Sequence, residues 1–159
     1  MIKLVNFLTQ PIEKQLETLE WRNSSDVSRW FQIKHIDLET HKKWLASLHN
    51  PNPHNIAFFI EYKKKFIGVT YFHSIDYIAK NTDWGIYIFD STLRGHGIGT
   101  ETLKKSLEYA NNKMIMKKVF LEVLPDNYVA QKVYENVGFQ FIEQKTDGTK
   151  RYQYTFTKG

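Results

Sequence analysis

The apolar positions of the chain change their period repeatedly, and each change marks an element. Residues 2–7 read as a short strand. Pro11 then opens a helical stretch in which Ile12, Leu16 and Leu19 recur at spacings of four and three, predicting an inward stripe that runs into Trp21-Arg22-Asn23. A short segment at residues 27–31 follows. Asp37 reads as a helix cap before Leu38, His41, Leu45 and Leu48, and their spacings of three, four and three place His41 on an apolar helix face.

Asn50-Pro51-Asn52-Pro53 ends that helix, and the β-rich runs 56–62 and 66–75, joined by Lys63-Lys64-Lys65, predict a hairpin. A third run, 83–89, passes through residues 90–93 into Arg94-Gly95-His96-Gly97-Ile98-Gly99, then a helix with Leu103, Leu107, Ala110 and Met114 inward. Residues 118–124 form a strand, and Pro125-Asp126 turns it into a helix with Val129, Val133 and Val137 on one face, ended by Gly138. Residues 139–144 and 152–157 close the chain as a hairpin around Asp147-Gly148. The order β-α-α-β-β-β-α-β-α-β-β, with no repeat and no linker, predicts a single α/β (α+β) domain over 1–159. Its core would be one mixed sheet with helices on its faces.

Composition narrows the chemistry. A chain that is 42% apolar and 15% aromatic is not disordered. It lacks cysteine, which excludes disulfides, thiolate metal sites and a cysteine nucleophile, and suits a reducing cytoplasm. Neither a signal peptide nor a membrane span is expected. The 22 Lys+Arg against 17 Asp+Glu leave a net charge of +5, which favours an anionic partner. The histidines at 35, 41, 49, 54, 73 and 96 have no metal-ligand spacing, and no G-x-S-x-G elbow is present, so no metal and no serine chemistry are expected.

The glycine loop carries the most information. Glycines 95, 97 and 99 permit close backbone approach, and a helix starting there aims unpaired N–H groups at a phosphate. Gly99 is followed by Thr100-Glu101 rather than Lys-Ser/Thr, which rejects a nucleotide triphosphatase. The G-x-G-x-G spacing also departs from the dinucleotide fingerprint, although Glu122 stands where a ribose-binding acid would. A plain strand-to-helix turn is the remaining alternative.

Arg94-x-x-Gly97-x-Gly99 after a Trp/aliphatic strand, the strand ending Glu122-Val123, and Asn127-x-x-Ala130-x-x-x-Tyr134-x-x-x-Gly138-Phe139 together resemble the GNAT superfamily of acetyl-CoA-dependent N-acetyltransferases. The match spans about residues 55–145. The resemblance implies a mostly antiparallel sheet of about seven strands, with a splayed parallel pair that holds the pantetheine arm. It implies that the amides from Arg94 through Gly95, His96, Gly97, Ile98 and Gly99 to Thr100 hold the CoA pyrophosphate. Asn127 and Ala130 would face the arm, and Tyr134 would protonate the thiolate. A main-chain N–H among Ile86, Tyr87 and Ile88, freed by a bulge, would bind the thioester oxygen. Read without the family, Tyr134 lies one residue off the valine stripe and could be a rim tyrosine.

The first fifty residues, through Trp21-Arg22-Asn23, Trp30-Phe31 and Ile36-Asp37-Leu38-x-x-His41, are similar to the N-acetyltransferases of pseudaminic acid biosynthesis, which acetylate the 4-amino group of a UDP-linked dideoxy sugar. By that resemblance Arg22 and His41 would face the nucleotide, Asn23 would belong to the substrate-binding set, and Trp30 or Phe31 would pack on uracil or ribose. Tyr87 would line the acceptor site. The plain alternatives are a surface ion pair for Arg22, a core histidine for His41 and a core tyrosine for Tyr87. With no cysteine, direct attack in a ternary complex is expected. Alternation groups Val69, Tyr71 and His73 on one face of their strand; His73 has a suitable pKa for the base, and Tyr71 departs from the family's small polar or acidic residue. A ribosomal-protein N-terminus, a polyamine or another amine is the alternative acceptor. A non-catalytic acyl-CoA or RNA-binding module, using Lys63-Lys64-Lys65, is the alternative class. The expected partner is a small UDP-amino-sugar, with neither nucleic acid nor membrane, and pairing as a homodimer is expected.

Overall fold

In β2 (Ile56–Tyr62), the four consecutive residues Ala57 to Ile60 are all buried, which requires cover on both faces of the strand. A computed structural model describes residues 1–157 and shows how that cover arises. The other strands are β1 (Ile2–Asn6), β3 (Lys65–Asp76), β4 (Asn81–Ile88), β5 (Lys118–Val123), β6 (Gln140–Gln144) and β7 (Lys150–Thr155). They form one seven-stranded sheet in the order β1-β2-β3-β4-β5-β7-β6.

Every neighbouring pair is antiparallel except β4 and β5. Their parallel ladder has three rungs, Asn81↔Lys118, Thr82↔Val119 and Asp83↔Phe120, and then stops. Beyond it the two strands run on to Ile88 and Val123 without pairing to each other, opening a cleft in the middle of the sheet. The expected mixed sheet with a splayed parallel pair is therefore present.

Helices α4 (Ile98–Asn112) and α5 (Tyr128–Val137) cover one face: Leu103, Leu107 and Ala110 pack on Phe58, Phe72, Trp84 and Val119. On the other lie α1 (Ile12–Asn23), the single turn α2 (Ser25–Ser28) and α3 (Leu38–Ser47), where Val27, Leu45 and Leu48 pack on Phe59, Val69 and Tyr87. Asp37 caps α3, with Oδ1 accepting from Thr40 N at 2.7 Å.

Two predicted stripes are rotated. On α1, Ile12 is 51% exposed, while Gln15 and Thr18 are buried. Gln15 Nε2 donates to Phe7 O and Gln10 O at 2.9 and 3.0 Å, and Thr18 Oγ1 donates to Gln15 O, so this inner face is polar and largely hydrogen-bonded, with Gln15 Oε1 buried without a partner. On α5 the residues packed against the core are Ala130, Tyr134 and Val137, whereas Val129 is 78% exposed. Leu38, at the first turn of α3, is also exposed. The bulge expected among residues 86–88 is absent: β3 and β4 pair in continuous register from Gly68↔Ile88 to His73↔Asp83. The irregularity falls between His73 and Asp76 instead, where Ser74 takes a φ of +51°.

Candidate active site

Two compartments meet at the splay. The larger, about 680 Å³, runs from the glycine loop along β4 to α5. The smaller, about 230 Å³, lies beyond the last rung of the ladder and contains Tyr71, His73, Asp83, Gly85 and Glu122. Trp30, Phe31, Trp84, Ile86, Asn127 and Tyr134 line both, so the two compartments adjoin along these side chains.

The larger groove is built by backbone. Gly97 caps α4 with a φ of +76°, Gly95 has a φ of +83°, and no side chain caps the helix, so its first amides lack an internal partner. A Cβ at Gly95, Gly97 or Gly99 would meet nothing within 4 Å, which leaves space in front of those amides for a phosphate. Ile86, Tyr87, Ile88, Arg94, Gly95, Gly97, Ile98, Gly99, Thr100, Asn127, Ala130 and Tyr134 all line this groove, as does the exposed Val129. His96, exposed on the same loop, does not.

Amide directions in β4 follow from its pairing. Phe89 N donates to Ile67 O at 3.1 Å, so odd-numbered amides here face β3, and alternation turns those of Ile86 and Ile88 toward the cleft. The splay rather than a bulge leaves them without a ladder partner. Arg94 Nη2 donates to Asp26 O at 2.9 Å and Ile88 O at 3.5 Å, tying the loop to the start of α2. Asn127 caps α5, Oδ1 accepting from Ala130 N at 3.3 Å, which leaves its Nδ2 for the groove.

The smaller compartment is built by side chains. His73 stands across from Asp83 in the β3–β4 register, with the Tyr71 ring 5.8 Å away. Burial pushes the His73 pKa below its ordinary value; Asp83 and Glu122 oppose that shift, and Arg151 reinforces it. Tyr71 is pushed up to about 12 by burial, tempered by Arg22, so its phenol is neutral at physiological pH. Tyr134 and Tyr87 are raised by burial and by neighbouring Tyr71.

Arg151 and Asp83 form a forked ion pair, with Nη1–Oδ2 at 2.8 Å and Nη2–Oδ1 at 3.2 Å, and Nη1 also reaches Glu122 at 3.1 Å. Lys145 Nζ donates to both Glu122 oxygens at 3.2 Å. Both carboxylates are therefore already neutralised. The sequence reading missed Asp83, Gly85, Glu122 and Arg151 as site residues. Their only signal is cross-strand register, Glu122↔Arg151 and His73↔Asp83, which becomes visible once strands are paired.

Three residues expected at the acceptor line neither compartment. His41 is 6% exposed, with Nε2 at 3.3 Å from both Thr18 Oγ1 and Gln15 O: a satisfied core histidine. Asn23 clamps Ile36 twice, donating Nδ2 to its carbonyl and accepting from its N–H, each at 2.8 Å. The Arg22 guanidinium stacks on Phe31 at 3.8 Å and Nη2 donates to Ile33 O at 2.7 Å. Arg22 and Asn23 thus hold the 29–36 loop that brings Trp30 and Phe31 to both compartments. Tyr87 faces only the larger groove, its hydroxyl donating to Thr18 O at 3.3 Å.

A family model described as an acetyltransferase (GNAT) domain matches residues 7–140. The chain belongs to the GNAT acetyltransferases. It is accordingly an acetyl-CoA-dependent N-acetyltransferase. Among named relatives, the chain is 28% identical to Acetyltransferase PseH of Campylobacter jejuni over 148 residues, 92% of this chain and 90% of that one. The structure of C. jejuni PseH in complex with acetyl coenzyme A superposes with a TM-score of 0.75 at 21% identity, covering 99% and 100% of the two chains. The Vibrio cholerae spermidine N-acetyltransferase, in complex with CoA and spermine, superposes with a TM-score of 0.84 at 18% identity, covering 97% and 95%. These likenesses bear out the GNAT fold, and the open glycine loop fits the pyrophosphate of acetyl-CoA. Among the described residues, no helix is long and apolar enough to cross a membrane.

Proposed function

We propose that this GNAT enzyme acetylates the 4-amino group of a UDP-linked amino-dideoxy sugar of the UDP-4-amino-4,6-dideoxy-N-acetyl-altrosamine type, the acceptor of pseudaminic acid biosynthesis and flagellin glycosylation. The observation that carries this reading is the acceptor compartment itself. Its two acids are held by Arg151 and Lys145, so it is not a trap for a polycation, and Trp30, Phe31 and Tyr71 offer aromatic walls to a sugar ring or base. The likeness to PseH over 92% of the chain supports the same acceptor class.

Acetyl-CoA, when bound, supplies the activated acetyl group. The α4 amides and those of Ile86 and Ile88 would orient it, the latter facing the carbonyl oxygen. His73, held neutral by burial, takes a proton from the acceptor ammonium at a ring nitrogen, freeing the amine lone pair to attack the thioester carbon, and Tyr134 Oη, kept protonated by burial, gives a proton to the departing thiolate. Tyr71 is too weak an acid to ionise near neutrality and acts as a wall. The reading includes a cytoplasmic location, which a cysteine-free chain suits, and a homodimer, to which the exposed strand β6 offers an unpaired edge.

The test is CoA thiol release from acetyl-CoA with the UDP-4-amino sugar, the free sugar, a polyamine and an alanine-starting peptide. Preferential release with the UDP-linked amine is expected. A polyamine or peptide that outperforms it overturns the acceptor assignment.

A further inference from the structure

Gly85 occupies the middle of β4, directly across from Tyr71 on β3. Its φ is not in the left-handed region, so the backbone there does not ask for glycine. The ring of Tyr71 does. A Cβ built on Gly85 would stand 2.5 Å from both Cζ and Oη of Tyr71 and 2.8 Å from Cε2, distances that real methyl groups do not reach. The phenol therefore lies across the β4 backbone in space that any other residue would claim, and its ring also packs edge-to-face with Trp44, ring centroids 6.3 Å apart.

We infer that Gly85 is a specificity-determining residue: by admitting the Tyr71 ring onto the strand, it fixes one wall of the acceptor compartment and the size of amine that fits. The geometry allows two arrangements. With glycine, the ring lies against β4 and leaves the compartment at about 230 Å³ beside His73. With a methyl group at 85, the obstructing atoms are the far end of a rotatable side chain, so the ring swings into the compartment rather than the strand deforming. The acceptor then loses its place, while the cofactor groove, which contains neither residue, is untouched. Conversely, removing the ring lengthens the compartment and admits amines that Tyr71 turns away. The inference extends the proposed function but rests only on the acetyltransferase activity, because its test uses whichever amine the wild-type enzyme acetylates fastest.

The experiment is a double-mutant cycle on the full chain with Gly85→Ala, Tyr71→Ala and the pair combined, reading KM for the amine, KM for acetyl-CoA and the melting temperature. Overpacking predicts that Gly85→Ala raises the amine KM roughly tenfold or more. The acetyl-CoA KM is expected to change by less than about twofold, and in the Tyr71→Ala background the Gly85 substitution is expected to change the amine KM equally little. Tyr71→Ala alone is expected to shift relative rates toward longer or bulkier amines. An equal effect of Gly85→Ala in both backgrounds, or none in either, overturns the inference. Should the single Gly85→Ala chain fail to fold, the doubly substituted chain decides. Folding and amine KM like those of Tyr71→Ala uphold the ring as the reason for glycine, and failure to fold overturns it. Loss of preference for the UDP-sugar in the wild type would refute the acceptor assignment without touching this cycle.

Discussion

Gly97→Val separates the glycine loop's work on the cofactor from its work on the fold. Gly97 has a φ of +76°, which costs an L-residue roughly 1–2 kcal/mol, and a β-branched one at least that. Nothing lies within 4 Å of its missing Cβ, so no clash inside the protein adds to the strain. At about 2–4 °C per kcal/mol for a domain of this size, the melting temperature should fall by about 2–8 °C with the domain still folded. The valine side chain would project into the space before the α4 amides. Losing even one or two amide bonds to a charged phosphate, at about 1.5–3 kcal/mol each, weakens CoA binding at least tenfold and on the order of a hundredfold or more for both. Isothermal titration with CoA reads the affinity, and a thermal melt reads the fold. Gly97→Asn is the internal control: asparagine tolerates the left-handed conformation, so stability should recover while affinity stays low. Affinity within about threefold of wild type for Gly97→Val would refute the assignment of these amides to the pyrophosphate.

Three further outcomes are expected. The pH profile of kcat/KM should carry an acidic limb centred below 6.5, since protonation of a burial-depressed His73 removes the base; in His73→Gln that limb should vanish and the rate fall roughly a hundredfold, and a limb centred above 6.5 would point to another group. Tyr134→Phe should lower kcat by about tenfold to a hundredfold with the CoA dissociation constant nearly unchanged, and a matching loss of CoA affinity would make its role structural. Asn23→Ala removes both bonds to Ile36, about 1–3 kcal/mol together, and should raise the amine KM and speed hydrogen exchange across residues 29–36; unchanged exchange there would sink the clamp.

The cofactor half of this site was legible because it is local. Three glycines, a helix start and an Asn-x-x-Ala-x-x-x-Tyr run are contiguous signals, and backbone amides need no particular side chain around them. Periodicity also located all seven strands. On α1 it was right for Leu16, which packs on the core, but it counts apolar residues and so passed over the buried Gln15 and Thr18, whose side chains donate to the carbonyls of Phe7, Gln10 and Gln15. On α5 it chose Val129 and Val133 over Ala130 and Tyr134, since a helix flanking a groove carries two apolar stripes, one for the core and one for the ligand. Arg22 and His41 were assigned by resemblance to a ligand, and the fold uses both internally.

The smaller compartment was legible only in part: Trp30, Phe31, Tyr71 and His73 could be named from the sequence, whereas Asp83, Gly85, Glu122 and Arg151 join them only after pairing. His73 and Asp83 come from adjacent strands, Glu122 from across the splay, Arg151 from the strand beyond, and Trp30 and Phe31 from a loop held by α1. Of these positions, His73, Asp83 and Glu122 line only the smaller compartment, while Trp30 and Phe31 line both. The larger groove is thus lined at its glycine loop by main chain, and the smaller compartment by side chains from separate elements. That division explains why a chain can share the GNAT architecture with a spermidine acetyltransferase and still present ion-paired carboxylates. A polyamine binding here would have to compete with Arg151 for Asp83, at forked contacts of 2.8 and 3.2 Å, and with Lys145 for Glu122, which disfavours a polycation before any shape is considered.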